Sequence, residues 1–410
     1  DVDYCSGASI AIPASIWREL GGFDTMYSPA YCEDSDMAFR LRKAGYRTLY
    51  SPASAVVHHE GRSHGRDVAS GVKAYQAINI TKFVQRWHEV LERDHFPNAH
   101  EVLLARDRSF AKQHVLVIDH YVPQWDKDAG SRTLYQYIKI LVDGGCQVSF
   151  WPDNLGRDPI YTPLLQALGV EVLYGQRHVG KFAEFMEERG ASLDMVLVAR
   201  PHVAINYVGE VRRRSKARIV YYGVDVHFKR MEASFGLGVS ADPEEIATMR
   251  KLELTVCRDS DVILYPDPAE VALMRELVGG GREFIANPIF AYGAPEIDAS
   301  RSRLPGVAVK RGGQLVFVGG FNHPPNRDGI IWFVSEVLPI IREMFPHAVL
   351  DIIGSNAPRD VVALASDSVR VRGFISDPEL EQAYRGADLV VAPLRFGAGV
   401  KGKVIEAMSQ

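Results

Sequence analysis

From residue 115 onward, short β-branched runs alternate with amphipathic helical stretches, and that rhythm constrains the fold more than any single residue. Apolar runs occupy 115–119, 147–151, 170–173, 195–198, 219–222 and 262–265, with helix-forming segments between most of them. Strands that are apolar throughout need cover on both faces, and strands spaced by helices pair in parallel. The expectation is a doubly wound α/β domain. A passage bearing Pro and Gly, 287–313, reads as a link. A second series follows it, with strands at 315–318, 349–353, 369–372 and 389–392 and a helix over 330–343. Two successive Rossmann-like domains place a cleft between them, and ligands in such sheets lie beyond the carboxyl ends of the strands.

Residues 1–66 depart from this rhythm. They predict a short strand, a helix around 15–20 and a helix around 36–44, too little chain to bury a substantial core alone. Residues 67–112 read as a charged helical connector, with one amphipathic face over 72–91. The expected organisation is therefore 1–66, 67–112, 113–295 and 296–410, since 410 residues exceed what one compact domain holds.

Charge and cysteine content narrow the function classes. The 47 basic and 51 acidic residues leave a net charge of −4, so no strong field favours nucleic acid. Cys5, Cys32, Cys146 and Cys257 are scattered without C-x-x-C spacing, which argues against a zinc ribbon or a disulfide framework and fits a reducing cytoplasm. No apolar stretch reaches the ~18 residues of a membrane span; attachment to the inner membrane face stays open. The chain starts at Asp1 rather than Met and stops inside an apparent helix, so a longer native polypeptide is expected.

Two ordered series of motifs carry the chemistry. The first contains Ser6-Gly7-Ala8, Ile12-Pro13, Leu20-Gly21-Gly22-Phe23-Asp24, Glu33-Asp34-Ser35-Asp36, the basic run from Arg40 to Tyr46, and Val57-His58-His59-Glu60-Gly61. An acidic triplet at a helix start is by itself a cap; the series around it resembles the C-terminal half of glycosyltransferase family 2, with the inverting GT-A fold. The resemblance implies Asp34 as the general base that deprotonates an acceptor hydroxyl. His58 then falls where some GT-A enzymes supply a metal or diphosphate contact. A divalent metal, Mg or Mn, is expected only for a complete GT-A module, whose nucleotide-binding half would precede residue 1. Asp1-Val2-Asp3 spells a metal-binding D-x-D but stands immediately before Ser-Gly-Ala, and reads as coincidence.

The second series runs through Phe317-Val-Gly319-Gly320, Pro325-Asn326-Arg327-Asp328-Gly329, Ile353-Gly354-Ser355, Ala387-Asp388 and Ala392-Pro393-Leu394-Arg395 to Gly397-Ala-Gly399-Val-Lys401-Gly-Lys403-Val-Ile-Glu406-Ala-Met408. Glycines at 397, 399 and 402 let backbone approach a diphosphate, and Lys401 and Lys403 can offset its charge. This run resembles the donor-binding domain of glycosyltransferase family 4, with the retaining GT-B fold. The resemblance, over 113–410, implies Glu406 on the donor ribose and no metal requirement. It departs from the family at Ala398, where many members carry a second Glu, and is only partly met around Gly320 and Arg327. Arg395 is a candidate substitute contact. In the preceding domain, Asp225 and His227 follow a strand and are candidates for acceptor handling. Gly130 and Ser131 could approach donor phosphates, and Arg200 ends another strand.

The reading is a fused glycosyltransferase, cut at both ends, that takes a nucleotide-sugar donor and a glycan or lipid-linked acceptor in surface polysaccharide assembly. Two alternatives remain: a GT-B sugar-nucleotide epimerase, and a non-catalytic nucleotide-sugar-binding or scaffold protein.

Overall fold

The computed structural model describes residues 2–51, 54–57, 71–97, 102–106, 108, 110–239, 242–287, 313–397 and 401–409. The chain divides into two compact units, 1–113 and 114–410.

The first unit contains α1 (Ala14–Glu19), α2 (Glu33–Lys43), α3 (Ala74–Asp94) and α4 (Val102–Arg106). Three acids fill the first turn of α2, where the helix dipole favours them. The innermost, Asp36, is completely buried and accepts hydrogen bonds from Trp87 Nε1 (2.9 Å), Tyr27 OH (3.2 Å) and Arg40 Nε (2.7 Å). A buried carboxylate is tolerated only when so satisfied. Asn79 Nδ2 donates to Tyr27 O (2.7 Å) and Ala30 O (2.8 Å), and Lys82 Nζ donates to Met26 O (2.7 Å). The helical stretch expected as a connector thus packs into this unit through α3. The expected short strand does not form among the described residues of 1–51: Val2 N–H donates to Thr48 O (3.0 Å), but one bond is not a ladder.

The second unit opens with a seven-stranded parallel sheet. Its strands are β1 (His114–Asp119), β2 (Gln147–Pro152), β3 (Glu171–Val172), β4 (Met195–Ala199), β5 (Arg218–Tyr222), β6 (Val262–Tyr265) and β7 (Glu283–Ala286), ordered β3-β2-β1-β4-β5-β6-β7. Between them run α5 (Ala129–Asp143), α6 (Tyr161–Ala167), α7 (Phe182–Arg189), α8 (Pro201–Ala204), α9 (Val208–Arg214), α10 (His227–Gly236), α11 (Pro243–Asp259) and α12 (Pro268–Val278). Alternation along β1 sends Leu116 and Ile118 into one core and Val115 and Val117 into the other, so both faces are covered.

A four-stranded parallel sheet follows, ordered β10-β9-β8-β11, from β8 (Gln314–Val318), β9 (Val349–Ile353), β10 (Val369–Gly373) and β11 (Leu389–Val390). Its helices are α13 (Pro324–Trp332), α14 (Leu338–Met344), α15 (Arg359–Val362), α16 (Asp377–Gly386) and α17 (Gly402–Met408). The helix expected to start at 330 starts at Pro324 instead, because Pro at the first helical turn lacks only an amide that would have no intrahelical partner. A π-helical turn over Phe333–Val337 joins α13 to α14. β7 escaped the sequence reading: only Phe284 of its four residues is buried, so it lacks the apolar run that marks the other strands.

Candidate functional site

In each sheet the strand order reverses at one point, and there the loops after neighbouring strands part to leave a crevice. In the first sheet this point lies between β1 and β4. Asp119 ends β1 and Arg200 follows β4; Arg200 Nε donates to Asp119 Oδ1 at 2.9 Å across the reversal. Burial would raise the Asp119 carboxyl, but Arg200 and His120 outweigh it and hold Asp119 below the usual carboxylate range. Arg200 takes a left-handed backbone (φ 64°), an uncommon conformation for a residue with a side chain. A Cβ on Gly130 would sit 2.7 Å from Arg200 Nη2, so a glycine there admits the guanidinium. Ser131 is buried and its Oγ donates to Asp128 Oδ2 (2.7 Å), which occupies it in capping α5.

The turn after β5 carries the next group. Asp225 is buried, with Arg230 Nη1 at 2.7 Å and His227 Nδ1 at 2.9 Å from its carboxylate. Burial would raise Asp225; His227 and Arg230 reverse that and lower it to about 2. Val224 in the same turn has φ 55°, strained for a β-branched residue. The His202 ring lies 6.0 Å from that of His227, and burial together with neighbouring positive groups lowers His202 to about 4.

The second sheet reverses between β8 and β11, and Gly319 and Gly320 leave β8 there. A Cβ on Gly319 would meet Lys403 Nζ and Asn326 Nδ2, each at 2.8 Å. Lys403 Nζ donates to Asn326 Oδ1 (2.5 Å) and stands 4.5 Å from the Phe317 ring centroid. Burial, then Lys401, lower Lys403 to about 7; burial also lowers Lys401, against the pull of Asp225. His323, at the start of α13, is lowered to about 4 by burial and by Arg230, while Asp225 pulls the other way.

The two reversals therefore meet. Ser355 Oγ, beyond β9, donates to Lys127 O (3.5 Å) in the loop after β1. Arg132 on α5 forms an ion pair with Glu406 on α17, whose other oxygen accepts from Tyr384 OH at 3.2 Å. Arg395 is paired with Asp328 through Nε (2.9 Å), so its charge is already directed to a carboxylate. Gly397 adopts φ 144°, and Lys401 Nζ would lie 3.2 Å from a Cβ there.

In the first unit, Asp34 Oδ2 accepts from Gly7 N–H (2.8 Å), and Oδ1 accepts from Ser35 N–H (2.7 Å), which ties the Ser-Gly-Ala loop to α2. Asp3 pairs with His95 Nδ1 (3.3 Å) and Arg108 Nε (3.1 Å). His58, Ala398 and Gly399 lie outside the described residues. Among those described, no cluster of His, Cys, Asp and Glu could hold a metal, and no helix is long and apolar enough to cross a membrane.

Sequence reasoning missed His120, His202, Arg230 and His323, and placed Asn326 in a motif without seeing that it holds Lys403. His120 follows the apolar run of β1 directly, and His323 follows the Gly-Gly pair by two residues, so position after a strand was the available signal.

These features define an α/β protein with parallel sheets of the GT-B kind. Residues 312–410 match the family model described as glycosyl transferases group 1. Sucrose-phosphate synthase from Thermosynechococcus elongatus has a similar fold, with a TM-score of 0.52 and 17% identity over 72% of this chain and 79% of that one. TarM also has a TM-score of 0.52, with 9% identity over 73% of this chain and 84% of that chain. By sequence, the chain is 40% identical over 74 residues to an N-acetylglucosaminyl-diphospho-decaprenol L-rhamnosyltransferase of Mycobacterium tuberculosis, covering 18% of this chain and 24% of that protein. It is also 40% identical over 65 residues to the rhamnosyltransferase WbbL of Escherichia coli, covering 15% and 24% respectively. The chain thus spans about a quarter of the length of these relatives.

Proposed function

We propose that unit 114–410 is the catalytic body of a glycosyltransferase that moves a sugar from a nucleotide-sugar donor to a glycan or lipid-linked acceptor in surface polysaccharide assembly. The observation that carries this reading is Lys403 beside Gly319, at the reversal of the second sheet, opposite the Asp225–His227–Arg230 turn of the first. A half-buried lysine that donates to the neutral Asn326 amide is not neutralised by that bond, and its charged form is available to an anion.

In this reading the donor diphosphate lies along Gly319 and Gly320, with Lys401 and Lys403 beside it. The bond from the anomeric carbon to the diphosphate breaks with its electron pair on the phosphate oxygen, and the lysines stabilise the growing negative charge. The acceptor hydroxyl attacks from the same face, which retains configuration, and its proton passes to the departing diphosphate. Asp225 and His227 orient the acceptor, and Glu406 meets the donor ribose once Arg132 yields to it. This chemistry requires no metal.

Residues 1–66 fit the tail of an inverting module, with Asp34 as base and His58 near a divalent metal that a complete module would bind. The reading extends to a fusion of the two modules at the cytoplasmic face of a membrane; the diphospho-decaprenol in the name of the mycobacterial relative supports the lipid-linked acceptor alone.

The test is nucleotide release from a panel of nucleotide sugars, with and without acceptor glycans. Acceptor-dependent release, lost in Lys403→Met, is the expected result. Conversion of the donor to an isomeric nucleotide sugar, without net nucleotide release, would point to the epimerase, and donor binding without turnover to a scaffold.

A further inference from the structure

Asp225 pairs with His227 and Arg230 within the turn that presents them, but the amides at the start of the following helix find no side-chain acceptor there. Helix α10 begins at His227, and its N-cap is Val226, which has no side-chain cap to offer. The orphan amides are taken up from outside. Glu270 of α12 accepts from Val226 N–H at 3.0 Å through Oε1, and Glu253 of α11 accepts from Phe228 N–H at 3.5 Å through Oε2. Both carboxyls are buried. Glu253 Oε1 also accepts from Tyr265 OH (2.9 Å) and Tyr221 OH (3.5 Å), from strands β6 and β5. Gly223 completes the arrangement, since a Cβ there would lie 2.1 Å from the Tyr265 ring. A left-handed Val224 persists only where its surroundings over-determine it. The two glutamates and Tyr265 supply that over-determination.

We propose that Glu253 and Glu270 are positioning residues for the Asp225–His227 turn: from beneath the site they fix the start of α10 and so the direction of both side chains. The inference rests on the transferase reading for its consequence in turnover, but its geometry stands independently. A Ser or Asp at 226 could cap the Phe228 amide locally, but it could not accept from its own N–H, so the Val226 amide needs an acceptor from another element. External capping fixes the turn relative to α11 and α12 rather than to itself. Glu253 adds an electrostatic link. Around it stand Tyr221, Tyr265 and Cys257, with Asp225 and His227 on the turn. Burial raises Glu253 to about 7 against the pull of His227, so its charge changes under the imidazole near neutral pH.

The experiment is backbone hydrogen exchange, read by NMR, on the full chain. Glu270→Ala is expected to speed exchange of the Val226 amide at least about tenfold, whereas Glu270→Gln, which keeps the acceptor oxygen, restores protection. Glu253→Ala is likewise expected to speed exchange of the Phe228 amide, and Glu253→Gln, which keeps an acceptor oxygen, restores protection. Unchanged Val226 exchange in Glu270→Ala, or unchanged Phe228 exchange in Glu253→Ala, would overturn the proposal. With a productive donor in hand, Glu253→Ala and Glu270→Ala should each lower kcat while leaving donor KM within about twofold; a rise in donor KM alone would also overturn the proposal. Failure of every nucleotide sugar to turn over, with the exchange results as expected, would remove the transferase reading and leave the positioning geometry standing.

Discussion

Lys403 shows how a single residue carries the proposed chemistry. Burial and the neighbouring Lys401 bring it to about 7, far below an ordinary lysine. A bound diphosphate would favour the charged form, so binding above that value takes up a proton. Affinity for a nucleoside diphosphate should therefore fall as pH rises from about 7 to 9, and Lys403→Arg, which keeps its charge, should flatten that dependence. Calorimetric titration across this range checks it; identical slopes in parent and variant would count against a neutralisable Lys403. Lys403→Met should weaken binding roughly ten- to hundredfold, matching about 1.5–3 kcal/mol for a hydrogen bond to a charged group. The glycine–lysine run was legible in the sequence because its spacing is local. Asn326, which holds Lys403, sits 77 residues away, and nothing in its own neighbourhood marks it as a partner. Ser131 reads the other way: a helix-start serine looked available to a ligand, and its hydroxyl is taken by Asp128.

At the scale of elements, close approach and buried ionisation set what can change. A Cβ on Gly354 would lie 2.0 Å from Gly319 O, backbone against backbone at the edges of β8 and β9. Gly354→Ala should cost about 1–3 kcal/mol by overpacking and lower Tm, whereas Gly209→Ala, on an open face of α9, should be neutral or gain up to about 1 kcal/mol. Equal Tm changes would contradict this. Glu253 gives a pH effect whose sign follows from its raised pKa. The unfolded chain releases this proton near the ordinary value of 4.5, the folded one near 7, so the parent loses stability between those values as pH rises and no further above them. Glu253→Gln cannot ionise, so denaturant midpoints should move in its favour from about pH 4.5 to 7; parallel curves would refute the assignment. The strands were legible because full burial on two faces leaves an apolar run, as in β1, β4 and β6. β7 and the start of α13 were not, since an edge strand with one buried residue and a Pro-Pro helix start both look like loop.

For the whole molecule, the decisive fact is that two parallel sheets turn the same kind of edge toward each other within unit 114–410. The order β3-β2-β1-β4-β5-β6-β7 places Asp119 and Arg200 at one reversal, and β10-β9-β8-β11 places Gly319 beside Lys403 at the other. The Arg132–Glu406 pair and the Ser355–Lys127 bond join them. The doubly wound class followed from periodicity. The pairing of the two edges did not, because it depends on contacts such as Arg132 with Glu406, 274 residues apart. The helix at 74–94 carried an amphipathic signal that reports a buried face but not what covers it. The most direct measurement is hydrogen–deuterium exchange of the chain with and without UDP, GDP, dTDP and ADP in turn. At least one nucleotide should protect the segments around 319–320 and 401–409 together. Binding that protects only segments away from these two, or no protection by any of the four, would contradict a donor site at the second sheet's reversal.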